Sequence, residues 1–217
     1  MTDMTLIVPA ILDKTPDDFK NHIKQLKESA TFQEGWIHID FADNKFVPNE
    51  TINIEPIKRN PTNLNKEAHL MVAHPLDWID DLKNTDFKRV VFHFESEDKP
   101  DEVINKIKEA GMEVGVAINP ETKIEQLESY KDKIDQILVM AIVPGFQGQP
   151  FLPETIEKIK TLKAKAWPVK ISVDGAVRDT NAKDLVDSGV DQLVSGSYLL
   201  TGDIDENVEK IWEVINT

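Results

Sequence analysis

The chain has 217 residues with 25 Lys plus Arg against 39 Asp plus Glu, a net charge of −14, and no Lys/Arg cluster interrupts that surplus. This length is enough to bury ~70% of the unfolded surface, while the acidic balance argues against nucleic acid or an anionic membrane as a partner. Cysteine is absent, which excludes disulfides, thiolate nucleophiles and Cys-ligated metals and leaves His and carboxylate to hold any ion.

Short β-rich runs predict strands at residues 5–8, 36–40, 68–72, 89–94, 113–118, 136–140, 169–173 and 192–194, each bounded by Gly, Pro, Asp or Asn. The first run is broken by Pro9 and falls far short of the ~20 residues a membrane span needs, so a cytoplasmic location is expected. Between the strands, apolar residues recur at helical spacing: Phe19, Ile23, Leu26 and Ala30; Val103, Ile104, Ile107 and Ala110; Ile156, Ile159 and Leu162; Val208, Ile211, Trp212 and Ile215. Prolines 16, 75, 100 and 153 mark helix starts, and Gly111 and Gly189 mark stops. Eight βα units at this length predict a single (β/α)8 TIM barrel over residues 1–217 with a parallel eight-stranded core. An open α/β sheet is the alternative, but no G-x-G-x-x-G follows the first strand.

His38 and Asp40 lie two apart on the second predicted strand, so they leave the same face near its C-terminal end. His69 in the third strand and Asp174 at the end of the seventh reach the same rim. Two imidazoles and two carboxylates suit one divalent ion, and Zn2+, Mn2+, Fe2+ and Co2+ all fit such a set. Taken singly, each also reads as a satisfied core histidine or a strand-end aspartate. At strands six, seven and eight, the glycines of Val143-Pro144-Gly145-Phe146-Gln147-Gly148-Gln149, Gly175 and Ser195-Gly196-Ser197 are placed to turn backbone N–H groups toward a phosphate, or simply to make tight turns.

Trp36-Ile37-His38-Ile39-Asp40 leading to Phe46-Val47-Pro48-Asn49, then His69-Leu70-Met71, Pro144-Gly145-Phe146 with Gly148-Gln149, and Val173-Asp174-Gly175 occur in an order that resembles the ribulose-phosphate 3-epimerase family over almost the whole chain. The resemblance implies a barrel binding one divalent ion, usually Zn2+, through His38, Asp40, His69 and Asp174. It also implies that Asp40 and Asp174 are the acid–base pair inverting carbon 3 of a ketose phosphate through an enediolate. Met71 and Met140 match cavity-lining thioethers, and Gly145, Gly148, Gly175, Ala176, Gly196 and Ser197 match the phosphate end. His93 and Glu95 match a strand end where a structural hydrogen-bonding role is expected.

The chain departs from the family pattern at Ala10 for a serine, Ala42 for a methionine, Asn44 for a turn glycine, Val143 for an asparagine, Gln147 for a loop glycine and Ala176 for a second glycine. These changes spare the expected metal and proton carriers but alter their surroundings, so the expected substrate is D-ribulose 5-phosphate or a related pentulose or hexulose phosphate such as allulose 6-phosphate. Two other readings stay open. One is a non-catalytic sugar-phosphate or metal-binding relative, and the other is a decarboxylase or aldolase of a related phosphate-binding barrel, for which only Lys45 lies near the acids in sequence. Small barrels of this kind often associate, so a homo-oligomer is expected.

Overall fold

A computed structural model describes residues 5–146 and 148–217; Gln147 therefore lies outside the described residues. Eight strands, β1 (Leu6–Ile11), β2 (Trp36–Ala42), β3 (Asn65–Met71), β4 (Phe87–His93), β5 (Glu113–Ile118), β6 (Gln136–Met140), β7 (Lys170–Asp174) and β8 (Gln192–Ser195), close into a barrel in chain order. Every neighbouring pair is parallel, and β8 returns to β1 with Leu6 opposite Gln192 and Pro9 opposite Ser195. Pro9 does not end the first strand, which runs on to Ile11, three residues beyond the sequence expectation of residue 8.

The helices are α1 (Pro16–Glu28), α2 (Ile54–Arg59), α3 (Ile79–Asn84), α4 (Pro100–Glu109), α5 (Glu154–Ala164), α6 (Asp179–Ser188), α7 (Ser197–Leu200) and α8 (Ile204–Ile215). Only a 3-10 turn, Ile124–Leu127, covers the β5–β6 connection, whereas both α7 and α8 follow β8. Thr15 caps α1 by accepting from the Asp18 N–H, with Pro16 pre-set for the first turn. Gly189, at φ 104, ends α6 in the left-handed conformation that favours glycine. Among the described residues no helix is long and apolar enough to cross a membrane.

Strand alternation divides the core in two. Ile37, Ile39 and Phe41 of β2 face outward into the large apolar layer beneath the helices, while His38 and Asp40 face into the barrel. The interior apolar cluster is smaller, built on Val8, Ala10, Val91, Leu138, Met140 and Val194 with their neighbours. It tolerates little added bulk: a Cβ on Gly115 would lie 2.7 Å from Val91 Cγ2.

Ala30 does not extend the apolar face of α1 as its spacing suggested. The helix stops at Glu28, and Ala30 is exposed in a turn held by a distant carboxylate. Asp205, in the first turn of α8, accepts from the Ser29 hydroxyl and from the N–H groups of Ala30 at 2.9 Å and Thr31 at 3.1 Å. Burial alone would raise the Asp205 pKa, but these donors outweigh it and hold the group at about 2. A depressed carboxylate contributes stability above its ordinary pKa of ~3.9 and loses it as pH falls toward the folded value. Asp205→Asn is therefore expected to cost about 1–2 kcal/mol at pH 7 and to flatten the decline of stability below pH ~4. Urea unfolding of both proteins across that pH range is the check.

Candidate metal centre and sugar-phosphate site

The pairing register brings the four expected ligands together. Asp40 stands opposite His69 across β2 and β3, and Met140 opposite Asp174 across β6 and β7. His38, Asp40, His69 and Asp174 each offer a donor atom, and these atoms all lie within 4.8 Å of one another. His38 and His69 are fully buried, Asp40 is nearly so, and Asp174 is half-buried at the cavity wall. His38 Nε2 lies 3.2 Å from Asp40 Oδ1, and His69 Nδ1 lies 2.7 Å from the same oxygen and 3.8 Å from Asp174 Oδ2.

The outward ring nitrogens have partners of their own. His38 Nδ1 is 2.6 Å from Glu67 Oε1, and His69 Nε2 is 2.9 Å from His93 Nε2. Two ring nitrogens at that distance share one proton, so one ring donates and the other accepts. His93 Nδ1 lies 3.3 Å from Glu95 Oε2 and donates there, which leaves its Nε2 to accept from His69. Burial pushes the His93 pKa down to about 4, keeping the ring neutral at pH 7 as the accepting role requires. Glu95 is anchored in turn by the Asn119 N–H at 2.9 Å and the Thr122 hydroxyl.

The two aspartates are pushed in opposite directions. Burial would raise Asp40, yet the charges and hydrogen bonds of His38 and His69 hold it well below the usual carboxylate range. Burial and then the Asp40 charge push Asp174 up to about 6. The donor set fits one divalent ion: two imidazole nitrogens and two carboxylate oxygens converge, and each imidazole is oriented from behind by an acceptor, as ligating histidines require. A satisfied core histidine would have such a partner too; what sets these apart is the convergence of all four donor atoms within 4.8 Å.

Above this cluster lies a cavity open to solvent and lined by Asp40, Asp174 and every expected substrate-side residue. Met71 and Met140, both buried, form its wall beside the aspartates. Gly145 and Gly148 reach it from the β6–α5 loop, Gly175 and Ala176 from the β7–α6 turn, and Gly196 and Ser197 from the end of β8. Gly175 is obligatory in its position: φ is 113, and a Cβ would lie 2.6 Å from Ile142 Cγ1 and 3.0 Å from the Ile142 nitrogen. Ala176 follows at φ 53 and Asn44 sits at φ 55, so both substituted turns keep the left-handed geometry. For an alanine that geometry costs ~1 kcal/mol.

The β6–α5 loop is tied down by Asn49, whose Nδ2 donates to the Gly145 carbonyl at 2.6 Å. Sequence reading missed Asn49 in this role, and it missed Arg178 and Tyr198, which also line the cavity. It likewise missed Glu67 and Arg89, both 1% exposed inside the barrel. The available signal was parity, because Glu67 is two residues before His69 and Arg89 four before His93, on the inward face. Lys45 is exposed and borders a different surface hollow, with Asp43, Glu50 and His74.

A parallel (β/α)8 barrel whose C-terminal mouth combines an imidazole–carboxylate cluster with glycine-bearing loops after strands six, seven and eight is the architecture of a phosphate-accepting barrel enzyme. Residues 6–200 match the model of the ribulose-phosphate 3 epimerase family, and the chain belongs to that family. It is therefore a carbohydrate epimerase, an enzyme of the isomerase class. The ribulose-phosphate 3-epimerase of Schizosaccharomyces pombe is 32% identical over 207 residues, 93% of this chain and 90% of that protein. The cytoplasmic isoform of ribulose-phosphate 3-epimerase from Oryza sativa subsp. japonica is 34% identical over 199 residues, 89% of this chain and 86% of that protein. Among solved structures, 3-hexulose-6-phosphate synthase from Salmonella typhimurium superposes with a TM-score of 0.69 at 16% identity, covering 98% of this chain and 99% of that one. Orotidine 5'-phosphate decarboxylase from Pyrococcus horikoshii OT3 gives 0.69 at 15% identity over 98% and 100%. At those identities the likeness is one of fold.

Proposed function

We propose that the protein inverts carbon 3 of a ketose phosphate, interconverting D-ribulose 5-phosphate and D-xylulose 5-phosphate or a related pentulose or hexulose phosphate such as allulose 6-phosphate. The observation that carries this reading is the placement of Asp40 and Asp174 on one cavity with the His38 and His69 donors, all four within 4.8 Å. His38, Asp40, His69 and Asp174 would hold one divalent ion, Zn2+ or else Fe2+, Mn2+ or Co2+. When bound, the ion acts as a Lewis acid on the ketose oxygens and makes the C3 hydrogen acidic.

The protein's own groups do the rest. One aspartate takes the C3 proton from one face of the sugar, and the other delivers a proton to the opposite face of the planar enediolate, with the roles exchanged in the reverse direction. Buried Met71 and Met140 keep water from the reacting carbon and move no proton themselves. Backbone N–H groups of the Gly175–Ala176 and Gly196–Ser197 segments, with the Arg178 cation nearby, supply the local positive potential an acidic protein needs to accept a phosphate. Phosphate held at that end and C3 held between the acids fix the sugar at two points, which is how binding energy becomes orientation.

A decarboxylase or aldolase of related architecture would need an amine beside the acids, and among the described residues no lysine lines this cavity. Incubation in D2O with divalent metal and a panel of ketose phosphates is expected to place deuterium at C3 and yield the C3 epimer. Lys45→Met is expected to leave that rate within about twofold, because charge changes on an exposed turn act weakly. Tight binding of the panel without exchange would favour the non-catalytic reading, and a large loss in Lys45→Met would favour amine chemistry.

A further inference from the structure

The interior of such a barrel is ordinarily filled by bulky branched apolar side chains. Beneath the ligand cluster this chain instead places a charged stack. Glu67 of β3 and Arg89 of β4 are each 1% exposed, with Arg89 Nη1 donating to Glu67 Oε2 at 2.7 Å. Arg89 is fixed on its other sides as well: Nε and Nη2 donate to Glu113 Oε2 at 2.8 and 2.6 Å, Nη1 also lies 3.3 Å from Gln192 Oε1, and Cζ lies 4.1 Å from the Trp36 ring centre.

Stability alone does not explain such a pair, since well-packed apolar residues of similar volume usually serve a core as well or better. What apolar residues cannot do is accept a proton from an imidazole. Glu67 divides its two oxygens between two tasks: Oε2 faces Arg89, and Oε1 lies 2.6 Å from His38 Nδ1. We propose that Arg89 is a positioning residue of the metal centre, acting through Glu67 on His38.

By neutralising and orienting Glu67, Arg89 keeps a carboxylate under His38. The carboxylate fixes the Nδ1–H tautomer and aims the Nε2 lone pair at the cluster of Asp40, His69 and Asp174. His69, by contrast, is backed by the neutral His93 ring. The two imidazole donors therefore differ in what stands behind them, a carboxylate for His38 and a second ring for His69. Lysine could not replace the arginine, because the planar fork is what reaches Glu67 and Glu113 together.

This inference rests on the metal reading above, and the test separates the two. Co2+ titration of the full chain, read as affinity and as ligand-field absorption, is compared for wild type, His38→Gln, Arg89→Met, Arg89→Lys and the apolar double variant Glu67→Met/Arg89→Met, alongside the melting temperature without metal. The double variant is expected to fold, with a metal-free melting temperature near wild type or above it, yet to bind Co2+ about 10–100-fold more weakly with an altered spectrum. Arg89→Lys should recover only part of the loss seen in Arg89→Met. Wild-type affinity and spectrum in the double variant would overturn the proposal while leaving the metal reading intact. Failure of the double variant to fold would assign the pair to the core and overturn it too. Equally feeble Co2+ binding by wild type and His38→Gln would overturn the metal reading itself, and this inference with it.

Discussion

Asp174→Asn is expected to abolish C3 inversion, by about 10³-fold or more, while still exchanging the C3 hydrogen of one epimer with solvent. The asymmetry follows from the geometry. Asp40 and Asp174 border the same cavity from β2 and β7, and on the proposed reading each would address one face of a sugar lying between them. Asparagine keeps an oxygen for coordination but neither removes nor returns a proton. In Asp174→Asn the epimer whose C3 hydrogen faces Asp40 loses it to Asp40 and regains deuterium from the same side, with unchanged configuration. The other epimer has no base and stays unlabelled. Asp40→Asn should show the reciprocal pattern. Proton NMR in D2O starting from each epimer separately reads both outcomes, and inversion within tenfold of wild type in either variant would exclude a two-acid mechanism.

Removal of divalent metal by a chelator is expected to stop turnover by a comparable factor and to lower the melting temperature without unfolding the barrel. The rear contacts of the imidazoles do not run through an ion: His38 Nδ1 lies 2.6 Å from Glu67 and His69 Nε2 lies 2.9 Å from His93. Those contacts keep the imidazoles satisfied, so far-ultraviolet circular dichroism should not change at 25 °C. An ion supplied at ~1,000 times its dissociation constant stabilises the folded form by about 4 kcal/mol. For a chain of this size that is roughly 8–16 °C in melting temperature. Turnover should return on adding Zn2+, Fe2+, Mn2+ or Co2+. Full activity after exhaustive chelation would sink the metal role.

Much of the frame was legible because strand and helix periodicities are local properties. The bounds of β5 and β6 match the sequence reading residue for residue; Gly111 and Asn119 bracket β5, and Asp135 immediately precedes β6. The ligand cluster was legible because His38 and Asp40 share a face by simple alternation and Asp174 ends its strand. Ala30 misled because its spacing suits α1, while the decisive contact comes from Asp205 on the far side of the chain. Glu67 and Arg89 went unread for the same reason. Each looks like a stray charge on its own strand, and only the parallel register that sets Glu67 beside Arg89 makes them a pair. Arg178 was equally silent, being an exposed residue at a helix start until the β7 turn folds it onto the cavity.

The clasp between α1 and α8 also bears on how the molecule is made. Its donors sit at residues 29–31, and its acceptor is 174–176 positions downstream; β1 likewise finds its second neighbour only in β8. A growing polypeptide emerges at ~5–20 residues per second, so the earliest strand waits on the order of ten seconds or more with one edge bare. Until β8 arrives, that edge presents unpaired N–H and C=O groups to any other extended strand.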